Sequence, residues 1–540
     1  MPNPKDLRFL CYFCKSYNYM EMKRTYLVLI LFIILSGGLH AQTETLQSKA
    51  ESLAQDPVFS HASVGICVRN ATGSTLAEVN GGKMLVPASN MKLISTGAAL
   101  HSLGPDYKYH TSIQYDGAIK NGTLHGNLYI VGEGDPTLGS KDSIAVNLNS
   151  VFAQWEKAIR NAGIKIIEGC VVGDGRWLEG MPEEPTWLYE DLGTYYGSGV
   201  TGLMFYENMQ SFSVSPGAAE GEPVKISVHY PGCSWMDYRY ECTTGAAGTG
   251  DKLFLYTSDL APVGVVRGTF GIDRGAKRVD FSNKFPEYTC AVYFKNYLEK
   301  KGIRCVGGAA DFKLCHEWYN EADKRSGRGA DGQWLKDLEM GSTTSPHLER
   351  IVYETNHASN NLYAETIFRT LGKELCHSSC YDSSYVALNN IFKSMRLGEG
   401  IRVQDGSGLS RQNYVSADFM CSFLGAMMDS SCFGEFLWSL PYPGGDGSLN
   451  YNMKGYPESL CRRIRVKSGS MNGVRCYSGY VIPSELATEL DAKGARIADI
   501  PQEIKNRIII FSILTNNCTS PQWKVRPMLD RFMADITKQD

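Results

Sequence analysis

From about residue 106 to residue 333 the chain changes texture, and this interruption narrows the architectures open to it. Ahead of it, Met91, Leu93, Ile94, Ala98, Ala99 and Leu103 keep a helical apolar spacing that stops at Gly104. Within it, short β-rich segments such as "GTLHGNLYIVGEGD" and "PVKISVHYPG" alternate with Gly/Pro turns, and a single helix is expected, near Ser150 to Ala162. A polar stretch, "NEADKRSGRGADGQ" (320 to 333), ends the block, and helical texture resumes at "SPHLERIVYETNHASNNLYAETIFRTLG". The tail holds three strand-like runs, "RIRVKSGSM", "CYSGYVI" and "RIIIFSILTN", then a closing helix around Gln522 to Thr537. Near the start, Val64 to Arg69 and Ser74 to Val79 read as two strands about a turn with Asn70 and Gly73. The expectation is therefore one α/β (α+β) domain made of residues 42–105 and 340–540, interrupted by a large, mostly-β insertion, 106–339, that forms two subdomains. A chain of 540 residues is too long for one simple core, which agrees with such a division.

Composition serves mainly to exclude. Hydrophobic content of 43%, charged content of 21% and 55 glycines describe a loop-rich globular chain rather than a disordered or membrane-embedded one. A net charge of −3, with no Lys/Arg stripe interleaved with aromatics, argues against nucleic acid as a partner. The stretch "MKRTYLVLILFIILSGGLHAQ" begins at Met22 with two cations, continues with a short apolar core from Tyr26 to Leu35 and ends in small residues at Ala41. It reads as a secretory signal cleaved after Ala41, so residues 1–41 are an extension plus signal and the mature chain is expected to be exported, in the periplasm. Its apolar core is far short of the roughly 20 residues a membrane span needs, so no transmembrane anchor is expected in the mature chain. Fourteen of the sixteen cysteines follow Met22. Export permits disulfides, but nothing in the spacing fixes their pairing. The Cys376, His377, Cys380 cluster lacks a second ligand pair at metal-like spacing, so neither metal nor cofactor is expected.

Three short patterns carry chemistry. In "VPASNMKLIS", Ser89 and Lys92 are three apart and share one face of a helix, with the amine in reach of the hydroxyl. A serine is a poor nucleophile until a neighbour takes its proton, and a lysine can do so only when neutral, as burial favours. In "HASNNLYAE", Ser359 and Asn361 are two apart, suited to a tight turn aimed at one cleft, although Ser and Asn also favour helix N-caps. In "RVKSGS", Lys467, Ser468 and Gly469 lie on a strand whose edge could pair with an extended peptide, the glycine keeping the approach open. Each pattern alone is weak, and each has an ordinary alternative: a helix face, a cap, a polar turn.

In the order S-x-x-K, S-x-N, K-[ST]-G the three together resemble the active-site triple of penicillin-recognising serine enzymes, the penicillin-binding proteins and serine β-lactamases. Ser468 stands where threonine is usual, which keeps the hydroxyl. Ser89 and Ser359 are 270 residues apart, a gap that resembles the D-alanyl-D-alanine carboxypeptidase/endopeptidase family of low-molecular-mass class C penicillin-binding proteins (peptidase family S13). "VGEGDPTLG", "VQDGSGLSR" (403 to 411) and "PGGDGSLNYN" agree with it. The resemblance implies a penicillin-binding-protein/serine β-lactamase-like transpeptidase fold, peptidoglycan peptides as substrate and β-lactams as covalent inhibitors. It implies Ser89 as nucleophile, Lys92 as its base, Ser359 and Lys467 in proton transfer, and Asn361 on the substrate amide. Lys467 with the hydroxyls of Ser468 and Ser470 would receive the terminal carboxylate, and the N–H groups of Ser89 and Ser470 would form the oxyanion hole. A pocket for the free end of a diaminopimelate-type side chain would draw on Trp187, Asp191, Tyr196, Arg411 and Met471. A serine β-lactamase and a catalytically silent wall-binding protein are the competing expectations.

Overall fold

The strand Ile509–Asn516 shows how the centre of the molecule is built. All eight of its residues are buried. Alternation sends Ile510 and Leu514 into one core and Ile509, Phe511 and Ile513 into another. The computed structural model describes residues 45–312, 314, 339–494 and 500–539. The segment read as a secretory signal and the polar stretch 320–333 lie outside the described residues.

This strand is the middle of a five-stranded antiparallel sheet in the order Thr75–Val79, Ser63–Asn70, Ile509–Asn516, Val474–Val481, Ile464–Met471. An early and a late segment of the chain thus meet in one sheet, Ser63–Asn70 pairing with Ile509–Asn516 along their whole length. The helices Leu46–Gln55 and Gln522–Ile536 cover one face through Leu46, Ala50, Leu53, Leu529 and Phe532. The helices Met91–Leu103, Asn361–Cys376 and Ala417–Met428 contribute to the core on the other.

The insertion holds further cores of its own. A five-stranded and a four-stranded sheet pack on the helices Leu148–Asn161 and Pro286–Lys300 through Phe152, Trp155, Phe294 and Leu298. Residues 209–282 form two three-stranded sheets around Phe212, Leu255, Val266 and Phe270. The helix Pro286–Lys300 corrects the expectation of a single helix in this region. Pro286 starts it, and Cys290, Ala291, Phe294 and Leu298 form its buried stripe. Tyr288, Tyr293 and Tyr297 interleave that stripe with strand-favouring rings, which masks the helical period. The insertion is not walled off: its Trp177, Leu178, Val200 and Met204 share a core with the helix Met91–Leu103.

Candidate active site

Ser89 sits in a single 3-10 turn, Ala88–Asn90, that runs straight into the helix Met91–Leu103. The turn is entered through a left-handed residue, Ala88, at φ +47°. It is fixed from below by Asn90, whose Nδ2 donates to Ser478 Oγ at 2.7 Å on the neighbouring strand. Lys92 lies one helical turn on and is fully buried.

The surroundings of the Lys92 amine define its state. Its Nζ is 3.0 Å from Ser89 Oγ, 2.7 Å from Asn361 Oδ1 and 2.8 Å from the carbonyl oxygen of Ser407. Burial drives its pKa down to about 7, against the opposing pull of Glu365 and Asp405. A neutral amine has two N–H bonds and one lone pair. The two donors match the carbonyl oxygens of Asn361 and Ser407, which leaves the lone pair directed at the Ser89 hydroxyl. Glu365 is buried and pushed up to about 8 by desolvation and by the charge of Asp405. A protonated Glu365 removes one of the charges that would otherwise hold Lys92 positive.

The second pair faces the first across the cleft. Ser359 is left-handed at φ +59°, immediately before Asn360, which caps the helix Asn361–Cys376 by accepting from Tyr363 N. The cap role therefore belongs to Asn360, and its two neighbours are left to point at the cleft. Lys467 Nζ donates to Ser359 Oγ at 2.9 Å. It too is fully buried, and desolvation together with the nearby Lys92 lowers its pKa well below the ordinary lysine value. Asn361 is held at both ends of its amide: Oδ1 accepts from Lys92, and Nδ2 donates to the backbone oxygen of Tyr196 at 2.9 Å.

Lys467 lies on Ile464–Met471, the edge strand of the sheet. Gly469 on that strand is seated against the nucleophile's turn, since a Cβ there would stand 2.4 Å from Pro87 O. Its missing side chain lets strand and turn touch. Ser468 is half-buried on the strand, and its carbonyl accepts from Lys467 Nζ at 3.2 Å.

One cavity of about 890 Å³ joins Ser89, Ser359, Asn361, Ser470 and Met471 with Asp191, Tyr196 and Arg411. Lys92 and Lys467, both fully buried, supply its chemistry from below. Asp191 is half-buried, raised by desolvation, and accepts from the Tyr196 hydroxyl at 3.0 Å. Arg411 reaches the carbonyl oxygen of Asn472, at 3.3 Å for the closer of its two contacts. Trp187 departs from expectation and does not line this cavity. It is buried behind it, with Nε1 donating to Asp405 Oδ2 at 2.8 Å. An indole needs a partner for its one donor when buried, and Asp405 supplies it.

Asp405 and Glu365, to which the sequence assigns no role, support the site from behind. Asp405 accepts from Gly408 N, Ser410 N and Asn413 Nδ2 and so folds the "DGSG" loop. Glu365 accepts from the N–H groups of Gly406 and Ser407, which aims Ser407 O at Lys92. Gly408 at φ +84° lies so close under Ala88 that a Cβ would be 1.9 Å from its carbonyl oxygen. Unusual density of Asp, Gly and Ser around residue 405 was the available signal.

Comparison with known proteins matches the chain over most of its length. The D-Ala-D-Ala carboxypeptidase 3 (S13) family matches residues 46–313 and 331–535. A D-alanyl-D-alanine carboxypeptidase of Actinomadura sp. (strain R39) is 28% identical over 465 residues, 83% of this chain and 80% of that one. The D-alanyl-D-alanine carboxypeptidase DacB of Haemophilus influenzae is 22% identical over 443 residues, 81% of this chain and 84% of that one. In fold, the chain is similar to the crystal structure of penicillin binding protein 4 from Haemophilus influenzae, with a TM-score of 0.72 at 20% identity, covering 91% of this chain and 98% of that one. With a match running from the first described helix to the last, this chain belongs to the D-Ala-D-Ala carboxypeptidase 3 (S13) family.

Proposed function

We propose that this enzyme hydrolyses D-Ala-D-Ala ends and D-Ala-linked cross-bridges of peptidoglycan stem peptides through an acyl-enzyme on Ser89. The observation that carries the reading is the Lys92 amine, desolvated and donating to two carbonyls, with Ser89 Oγ 3.0 Å away. In acylation Ser89 Oγ bonds to the carbonyl carbon of the penultimate D-alanine while its proton passes to Lys92. The negative charge formed on the carbonyl oxygen falls to the N–H groups of Ser89 and Ser470, donors worth roughly 2.7–4 kcal/mol each in acyl transfer. As the tetrahedral species collapses, the C–N bond breaks and the departing amine takes a proton relayed through Ser359 and Lys467. Asn361 keeps one N–H on Tyr196 O, and the other N–H of that NH₂ group serves the substrate amide. Water then repeats the sequence on the ester, releasing the peptide acid and restoring Ser89.

The terminal carboxylate would settle beside Lys467, Ser468 and Ser470, and its charge would favour the protonated form of Lys467 that burial and Lys92 disfavour. Asp191, Tyr196, Arg411 and Met471 would receive the free end of a diaminopimelate-type side chain, with the Asp191 carboxylate meeting its ammonium. The reading of residues 22–41 as a secretory signal supports an enzyme that is exported and works in the periplasm.

Incubation with a penicillin followed by intact-mass measurement tests the reading. The protein is expected to gain the whole mass of the drug, since ring opening expels no fragment, and Ser89→Ala is expected to gain none. No adduct on the native protein, or an adduct that persists in Ser89→Ala, would sink the proposal. Rapid drug turnover without a lasting adduct would point to a β-lactamase instead. Release of D-alanine from a pentapeptide, measured against cleavage of a cross-linked dimer, divides carboxypeptidase from endopeptidase action.

A further inference from the structure

The insertion reaches the reaction centre at one point that the family motifs do not include. Tyr206, Glu207 and Asn208 are consecutive non-glycine residues in the left-handed region, at φ +53°, +54° and +49°. L-residues avoid this region, and a run of three persists only where the surroundings over-determine it. Here Asn208 locks the turn, accepting from Phe205 N at 3.1 Å and donating to Gly199 O at 2.8 Å. The result is that Glu207, 7% exposed, is delivered into the wall of the cavity beside Ser359, Asn360 and Asn361.

Both carboxylate oxygens of Glu207 are used. Oε2 accepts from Asn360 Nδ2 at 2.9 Å, and Oε1 accepts from Ser140 Oγ at 2.7 Å. Tyr363, on the first turn of the helix that carries Asn361, donates its hydroxyl to Asp142 Oδ2 at 2.8 Å and stands 3.3 Å from Ser140 Oγ, so Ser140 packs against that turn. The Asn360 amide has no freedom in this arrangement. Its Oδ1 must accept from Tyr363 N to cap the helix, which turns Nδ2 outward and requires an acceptor at Glu207. Asn360 stands between the two residues that face the cleft.

We propose that Glu207 is a positioning residue for acyl transfer: from the insertion, through Asn360, its carboxylate sets where Ser359 and Asn361 stand relative to Ser89. The insertion is thereby part of the catalytic apparatus, beyond any share in holding substrate. The proposal rests on the reading that Ser89 is acylated.

Asn360→Asp separates this role from capping, because aspartate is as good a cap as asparagine but replaces the outward donor with a second carboxylate facing Glu207. Penicillin acylation of the full chain, divided into a binding constant and a first-order acylation rate, is expected to lose at least about tenfold in the rate with little change in binding, a size typical of coupled neighbours. Combining Asn360→Asp with Glu207→Gln restores a donor facing an acceptor, and the rate is expected to return to within about threefold of wild type, as for other matched pairs. Glu207→Ala, which removes the acceptor for Asn360 Nδ2, is expected to slow acylation as Asn360→Asp does. Thermal unfolding of each variant checks that the protein assayed is folded. An Asn360→Asp protein acylated at the wild-type rate, or a double variant no faster than the single, would overturn the proposal. Wild-type protein that no penicillin acylates would overturn both this proposal and the reading beneath it.

Discussion

At the scale of single residues the site turns on one amine. Lys92 in water would be an ammonium with three donors; in its buried seat the pKa falls to about 7, and the neutral form fits the two acceptors and one hydroxyl around it. The acting base is the deprotonated amine, so its fraction grows as pH rises. Acylation by penicillin is therefore expected to climb through pH 7 and level off above it, followed by stopped-flow mixing across pH 5.5 to 9, a range spanning about 1.5–2 units on either side of the transition. Lys92→Ala is expected to lose about 10²–10⁴-fold and with it that pH step, the usual contribution of a positioned general base. A rate that falls between pH 6 and 8, a window of about one unit on either side of the expected transition, would remove Lys92 from the role.

At the scale of elements, contact between the K-S-G strand and the nucleophile's turn depends on a missing side chain. Gly469→Ala would place a methyl 2.4 Å from Pro87 O and 3.1 Å from Asn90 N, and backbone atoms cannot step aside as a side-chain tip could. The expected cost is about 1–3 kcal/mol, seen as a lower Tm together with slower acylation as Lys467 draws away from Ser359. An alanine variant with the wild-type Tm would show that strand and turn are not so tightly seated. The same region shows which features local sequence could give. Ser89, Lys92, Ser359, Asn361 and Lys467 were legible because their types, spacing and order are constrained within short segments. The helix Met91–Leu103 and the central strands were legible for the same reason, since apolar periodicity is local. Trp187 was not, because whether an indole lines a cleft or props the loop behind it depends on Asp405, 218 residues along the chain. Glu207 escaped because nothing in "FYEN" announces three left-handed residues. The helix Pro286–Lys300 escaped because its tyrosines imitate a strand.

At the scale of the whole molecule, the question is what keeps the insertion and the catalytic domain in one register, since the site draws on both. Arg369, on the helix that carries Asn361, is 1% exposed. It donates from Nη1 to Met181 O and Val200 O at 3.1 Å each, from Nη2 to Glu179 O, and from Nε to Ser379 O at 2.8 Å. Three of those carbonyls belong to the insertion, so one side chain ties residues 179–200 to the catalytic helix with a planar fork of donors that lysine could not reproduce. Burial works against the guanidinium's charge and lowers its pKa, but the carbonyls need it more. Arg369→Met fills comparable space with no donors and leaves the buried carbonyls of Val200 and Ser379 unpaired, at about 1–3 kcal/mol for each unsatisfied group. A total loss on the order of 3–5 kcal/mol is expected, as when one partner of a buried polar network is removed. Because the lost bonds join the two parts, the loss should appear in denaturant unfolding as a broadened or divided transition, not as a simple shift of one. Penicillin acylation should fall alongside, since the S-x-N loop is gripped from the insertion at Tyr196 and Glu207. A single sharp transition at the wild-type midpoint would mean that shared apolar packing at Trp177, Leu178, Val200 and Met204 holds the two parts together without Arg369.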